Sequence, residues 1–332
     1  MSRENDLDSR RSVALSAETA RKPLFMSLVI PTYRRPDDLS RCLAAMEKSF
    51  RLPDEFLIVC RPDDFLSRDV IAKFLTNSFI LPIKIIDVLE PGLTAALIAG
   101  LEASIGDVVC FTDDDAAPHQ DWLQKIEECY QQDASVVGVG GRDLVHTRAG
   151  VINDPKTQVG IISPFGRLIG NHHLGVGKAR VVDVLKGVNM SYKGDLLRAI
   201  KFDRRLKGTG AQVHNELALG LAIRGEGRKL VYDPAILVDH YPAERFDEDA
   251  RGPQSALALS NATFNLFFAL LGGSAGWNRL LIWQWYQLVG TSTAPGLLQI
   301  CRSLMSGDRD VIRRWRIVRA AARDANKAVS PV

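Results

Sequence analysis

The stretch DVVCFTDDDAAP, residues 107–118, runs a short apolar segment directly into three adjacent aspartates. Val108 to Phe111 read as a β-strand covered on both faces, because no polar residue alternates with the apolar ones. Three like charges at the end of such a strand raise one another's pKa unless a cation shares them. Mg²⁺ and Mn²⁺ suit the position, since these hard ions accept one or two protein carboxylates and take further ligands from water and substrate phosphates. Side chains alternate along an extended chain, so Asp113 and Asp115 are expected on one side and Asp114 on the other. The plainer reading is an acidic turn that caps the helix beginning near PHQDW.

The same strand-then-polar pattern recurs upstream. FMSLVIPTY (25–33), EFLIVC (55–60) and IKIIDVLE (83–90) are β-rich runs, each followed by a stretch of helical period, at 36–48, 65–77 and 92–104; a fourth such stretch, 119–132, follows the aspartates. That βαβα order, with strands apolar almost throughout, predicts an α/β fold with a mostly parallel, doubly wound sheet flanked by helices. Ligands of such sheets bind beyond the carboxyl ends of the strands. Polar clusters stand at those ends here: Thr32 and Tyr33, Asp63 and Asp64, Glu90, and Asp113 to Asp115.

Farther along, residues 136–187 are rich in glycine and β-branched residues with turn signals, and predict hairpins or a long loop over the crevice. A helix is expected over 213–224, closed by Gly225 and Gly227, then a strand RKLVYDP and a segment AILVDHY. From about 255 the chain is strongly apolar, but glycines, Asn278, Arg279 and Pro295 interrupt it before the length of a membrane span. Packing helices or a peripheral membrane contact through 255–320 both fit that pattern, and the basic amphipathic run RDVIRRWRIVRAAARDANK fits a solvated helix face or anionic lipid. The expected organisation is a loose tail at 1–24, a domain at 25–250 divided near 135, and a helical C-terminal extension at 251–332.

Length of 332 residues and 46% hydrophobic content give enough apolar surface for one large or two ordinary globular domains. The 42 basic and 39 acidic residues are interspersed, which leaves no general nucleic-acid surface. Five widely spaced cysteines in apolar runs read as small buried residues in a reducing, cytoplasmic setting. No apolar signal segment occupies the N-terminus, and localisation is expected to be cytoplasmic, with peripheral contact at the inner face of the membrane as a further option.

Four motifs in order carry a resemblance: SLVIPTYRRPDDLSRCL (27–43), EPGLTAALIAGLEASIGDVVCFTDDDAAPHQDWL (90–123), GVNMSYKGDLL (187–197) and VHNELALGLAIRGEGRKLVYDPAILVDHY (213–241). Together they resemble the family 2 glycosyltransferases of the GT-A fold over residues 26–242. The resemblance implies inverting transfer of a sugar from a nucleotide-diphosphate donor to an acceptor hydroxyl, assisted by Mg²⁺ or Mn²⁺. It implies that Pro31, Thr32 and Tyr33 meet the nucleotide base with Arg35 close by, that Asp63 or Asp64 contacts the base, and that Glu90 lies near the nucleotide. Asp113 would face the ribose, with Asp114 beside it, and Asp115 would hold the metal, with His240 as a further ligand. Gly187 and Asn189 would lie near the donor sugar.

Where the family shows a Glu-Asp pair at a helix start, this chain has Asn215 and Glu216, which makes Glu216 the expected general base. A glutamate has nearly the same intrinsic acidity as an aspartate and can take a hydroxyl proton from hydrogen-bond reach. A shifted register would instead offer His214. Of His172 and His173, neighbours on an extended chain, at most one can face the site. Leu97 and Ile98 stand where relatives carry a polar residue, and WQWYQ does not supply the QxxRW helix of processive synthases, so a single transfer is expected. No G-x-G-x-x-G follows the first strand and no Walker A pattern occurs, which disfavours dinucleotide and P-loop chemistry. The competing reading is a catalytically impaired sugar-nucleotide-binding protein acting in an assembly.

Overall fold

The computed structural model describes residues 22–78, 80–244 and 255–329. Its four leading strands are β1 (Met26–Pro31), β2 (Glu55–Cys60), β3 (Ile83–Asp87) and β4 (Val108–Phe111), and between them run α1 (Pro36–Met46), α2 (Phe65–Asn77) and α3 (Leu93–Ala103). β1 lies between β2 and β4, β3 pairs with β2, and all these pairings are parallel. Each helix lies within a few residues of its expected span, because three turns of apolar period between buried strands leave the chain little choice.

The alternation within β1 shows why its sequence is apolar throughout. Met26, Leu28 and Ile30 pack with Leu39, Cys42, Leu43 and Met46 of α1 on one face. Val29 turns to the other face, against Ala96, Leu97, Ile98 and Leu101 of α3. Leu97 and Ile98 are therefore core residues. All five cysteines are unpaired, and Cys42, Cys60 and Cys110 are buried as expected, whereas Cys129 is half-buried and Cys301 exposed.

After β5 (Ala116–Pro118) and α4 (Trp122–Gln132) the sheet is completed by antiparallel and long-range pairings. β6 (Val136–Thr147) carries the small partner β7 (Gly150–Val151), and β8 (Ile161–Ile162) with β9 (Leu168–Ile169) forms a separate hairpin. β10 (Arg180–Val182), β11 (Met190–Lys193) and β12 (Lys229–His240) then join, giving the order β10-β12-β6-β11-β4-β1-β2-β3, with β5 on β12. β11 runs antiparallel to both β4 and β6 and joins them, with Met190 opposite Phe111 at the aspartate end of β4.

β12 differs from the two segments expected from sequence. It is one strand with an irregularity: Asp233 pairs with Gly141 and Leu237 with Arg142, so residues 234–236 stand out of the ladder. Pro234, which has no N–H to donate, falls inside this bulge. Gly141 permits it, because a Cβ there would lie 1.9 Å from the Ile236 carbonyl oxygen.

The turn at His172–Leu174 is a 3-10 helix, and buried His172 holds the Val184 carbonyl through Nε2 at 2.8 Å. Beyond α5 (Gly194–Ile200) and α6 (Asn215–Gly225), the last four helices are α7 (Ala256–Gly272), α8 (Gly276–Leu288), α9 (Leu297–Met305) and α10 (Val311–Val329). Phe264, Phe267, Leu270 and Leu271 of α7 form a third core with Leu217 and Leu221 of α6 and with Val318, Ala321 and Ala325 of α10. Among the described residues no helix is long and apolar enough to cross a membrane.

Gly141→Ala tests the bulge. The new methyl would strike backbone rather than a movable side chain, and such overpacking costs about 1–3 kcal/mol or more. A clear drop in the thermal midpoint is expected, and an unchanged midpoint would show that β12 pairs regularly.

Candidate functional site

The carboxyl ends of β1 to β4 open into one cavity of about 300 Å³. Pro31, Thr32 and Tyr33 come from β1 and the turn after it, Arg61 follows β2, Val88 and Glu90 follow β3, and Asp113 to Asp115 follow β4. Lys186, Gly187 and Val188 before β11, Glu216 of α6 and His240 at the end of β12 line the other side. The tight turn at Asp113–Asp115 separates the three carboxylates as their alternation requires.

Asp114 points into the protein. It accepts hydrogen bonds from the Thr32 hydroxyl at 2.8 Å and from an Arg35 guanidinium nitrogen at 2.8 Å. Burial pushes its carboxyl up to about 6, against the pull of Arg35. Arg35 also lies 3.9 Å from Asp115 and donates through Nε to the Glu244 carbonyl at 3.0 Å. One guanidinium thus ties the aspartate turn to the start of α1 and to the chain leaving β12.

Asp113, Asp115 and His240 face the cavity, and each offers a ligand atom within 4.8 Å of the others. Burial, followed by the charge of Asp115, pushes the Asp113 carboxyl up to about 7. Asp115 Oδ2 accepts the Ala243 N–H at 2.9 Å, while Oδ1 is buried without a hydrogen bond and lies 3.5 Å from His240 Nε2. An orphaned buried carboxylate oxygen, a second carboxylate and an imidazole nitrogen make a donor set that fits Mn²⁺ or Mg²⁺. A cation there would offset the burial and the charge of Asp115 that together raise the Asp113 pKa.

His240 is aimed by a residue that the sequence reading missed. Its Nδ1 lies 3.2 Å from Asp143 Oδ2, so Nδ1–H donates to that carboxylate and the Nε2 lone pair is left for the cavity. Asp143 is fully buried; burial raises its pKa, but the His240 hydrogen bond and the Lys186 charge bring it below the ordinary value. Lys186 pairs with the same carboxylate and itself lines the cavity. Lys186, Asp143 and Arg61 carry no motif of their own, and only the pairing of β12 with β6 and the strand-end position of Arg61 place them here.

Glu216 sits in the first turn of α6, and its Oε1 accepts the Gly187 N–H at 3.3 Å. A Cβ at Gly187 would lie 3.0 Å from the same oxygen, so a side chain there would press the Glu216 carboxylate out of its present position. Asn215 is buried, and its side-chain nitrogen bonds the carbonyls of Ala211 and Gln212, so it secures the turn that launches α6. His214, the alternative base, does not line the cavity; burial lowers its pKa to about 4.

Three expected donor contacts lie elsewhere. Asn189 is fully buried: Oδ1 accepts from Trp122 Nε1 at 2.9 Å, and Nδ2 donates to the Ile236 carbonyl at 3.0 Å. It satisfies the carbonyl that the β12 bulge frees from the ladder instead of facing a sugar. Asp64 is buried as the cap of α2, accepting from the N–H groups of Ser67 and Arg34. Asp63 is solvent-exposed outside the cavity, 4.0 Å from Arg34. In their place Arg61 stacks over the Tyr33 ring, 3.9 Å from its centroid, and the two form a flat platform at the mouth. Glu90 lines the same mouth, 3.7 Å from Arg204. Neither His172 nor His173 lines the cavity.

Residues 27–173 match the family described as glycosyl transferase family 2. Over 103 residues the chain is 31% identical to glycosyltransferase AglE of Haloferax volcanii, covering 30% of this chain and 34% of that protein. The chain thus matches about a third of the length of this curated relative. Among solved structures, the mannosyltransferase PcManGT of Pyrobaculum calidifontis, in complex with GDP-Man and Mn²⁺, superposes with a TM-score of 0.54 at 14% identity, over 97% of this chain and 93% of that one. GalNAc-T7 with UDP, GalNAc and Mn²⁺ superposes with a TM-score of 0.56 at 13% identity, over 87% of this chain and 59% of that one. At these identities the likeness is one of fold, the GT-A arrangement expected from the sequence.

Titration with Mn²⁺, followed calorimetrically or by electron paramagnetic resonance, tests the role of Asp143. Outer partners of metal-bound histidines are worth about 10–100-fold in metal affinity. Asp143→Asn is expected to weaken Mn²⁺ binding by that order, and unaltered affinity would leave the His240–Asp143 contact without a part in metal binding.

Proposed function

We propose that the chain, whose residues 27–173 match the family described as glycosyl transferase family 2, transfers a sugar from a nucleotide-diphosphate donor to an acceptor hydroxyl by single displacement with inversion. The observation that carries this reading is that the Asp113–Asp115–His240 group and Glu216 share one cavity, close enough for the charge of Glu216 to add to the pressure on Asp113.

In this reading the nucleotide lies across the ends of β1 to β4, with its base against the Tyr33–Arg61 platform and Glu90 at the rim. Asp113, Asp115 and His240 hold a divalent cation, which supplies charge neutralisation for the diphosphate leaving group. Lys186, already beside the cavity, adds a second positive charge on the same side.

Glu216 takes the proton of the acceptor hydroxyl as its oxygen attacks the anomeric carbon. The bond from that carbon to the diphosphate oxygen breaks with both electrons leaving on the diphosphate, and the anomeric configuration inverts. The Gly187 N–H holds Glu216 Oε1 and so helps to aim the carboxylate. The absence of a QxxRW sequence supports one transfer per encounter, and donor pools in a reducing cytoplasm fit five unpaired cysteines.

Release of nucleoside diphosphate from candidate donors in the presence of Mn²⁺ provides the test. Glu216→Gln is expected to lower turnover by about 10²–10⁴-fold, the ordinary worth of a general base, with donor binding retained. Tight donor binding without turnover in either protein would reject the enzyme in favour of a sugar-nucleotide-binding protein.

A further inference from the structure

Single exposed apolar residues are ordinary, but contiguous ones on successive helices call for a partner. α8 exposes Trp277, Leu280, Leu281 and Leu288, whose spacing places them on one face, with Gln284 as the polar exception. Ile282 and Tyr286 occupy the opposite face and pack into the core shared with α7. α9 repeats the arrangement: Leu297, Leu298, Leu304 and Met305 are exposed while Ile300 is buried. Trp277 is 79% and Met305 83% exposed.

Charge changes sign over the same region. Residues 255–329 contain nine basic and three acidic side chains, whereas the remainder of the chain has 33 basic and 36 acidic. α10 buries Val311, Val318, Ala321, Ala322 and Ala325, and on its other face the exposed residues Arg313, Arg316, Arg323 and Lys327 follow at helical spacing. Arg302 is exposed beside the apolar face of α9. Arginine, tryptophan and methionine are enriched at protein interfaces as well, so a second copy of the chain is the competing occupant to be told apart. An anionic bilayer rewards both features, since apolar faces enter the acyl boundary while basic side chains meet the headgroups.

We propose that α8 and α9 dock the protein onto the surface of a membrane containing anionic phospholipid, with the basic stripe of α10 contributing electrostatic attraction. The helices lie on the bilayer and do not span it. This surface is separate from the donor cavity and does not depend on the assignment of its chemistry.

The full chain is floated with vesicles of phosphatidylcholine alone and of phosphatidylcholine mixed with phosphatidylglycerol. Binding to the anionic vesicles is expected, weaker to the neutral ones, and falling as salt rises from about 0.1 M to about 0.5 M as screening shortens. Trp277→Ser, Leu298→Gln and Met305→Gln combined should lower binding roughly tenfold or more through the lost apolar area. Arg313→Gln, Arg316→Gln and Arg323→Gln combined should abolish the preference for anionic lipid, and this second set decides the matter if the first set lowers the thermal midpoint. Failure of the unaltered chain to float with anionic vesicles would overturn the proposal. So would a dimer in light scattering that the apolar substitutions turn into a monomer, because a second copy would then cover the face.

Discussion

Everything at the candidate site depends on how three adjacent carboxylates are kept apart. Asp114 is drawn into the protein by Thr32 and Arg35, and only because it is withdrawn can its two neighbours face the cavity together. Thr32 lies at the end of β1 and Arg35 caps α1, so the turn is anchored by the strand in the middle of the sheet and by the helix that follows it. Opposite charge and hydrogen bonding fix the middle aspartate; like charge and burial leave the outer two in need of a cation.

Much of this was legible in the sequence, and for definable reasons. Strands covered on both faces are continuous apolar runs, which is why β1, β2 and β4 and the helices between them could be placed. The alternation of Asp113, Asp114 and Asp115 followed from backbone geometry alone. What could not be read depended on long-range register. Asp143 belongs to β6 and His240 to β12, and they meet only because a three-residue bulge shifts one strand against the other. Asn189 looked like a ligand-binding loop residue, yet it serves the same bulge. Asp64 looked like a base contact, and a helix N-terminus claims it instead. In both cases backbone groups left without partners are stronger claimants on a short polar side chain than a ligand is.

The departures from the family pattern take on structural meaning. Leu97 and Ile98 fill the space between α3 and the sheet, so that helix contributes packing where a polar side chain would offer a contact. Asn215 is buried and bonded to two backbone carbonyls, both acceptors, and an amide can donate to them where a carboxylate cannot. An asparagine at 215, where the resemblance implies a glutamate, thus matches the hydrogen bonding of the turn, while Glu216 lines the cavity.

The hydrogen bond from the Ala243 N–H to Asp115 has a consequence for how the chain divides into parts. Composition changes near residue 250, which invites a cut there or earlier to isolate a minimal sheet domain. Yet the peptide at 243 and the carbonyl at 244 are structural members of the aspartate turn, through Asp115 and Arg35 respectively. A unit ending at His240 would retain the side chains of Asp113, Asp115 and His240 and lose the backbone groups that orient one of them. The smallest transplantable unit is therefore defined by main-chain atoms beyond the last functional side chain, and its edge does not coincide with the edge of the sheet.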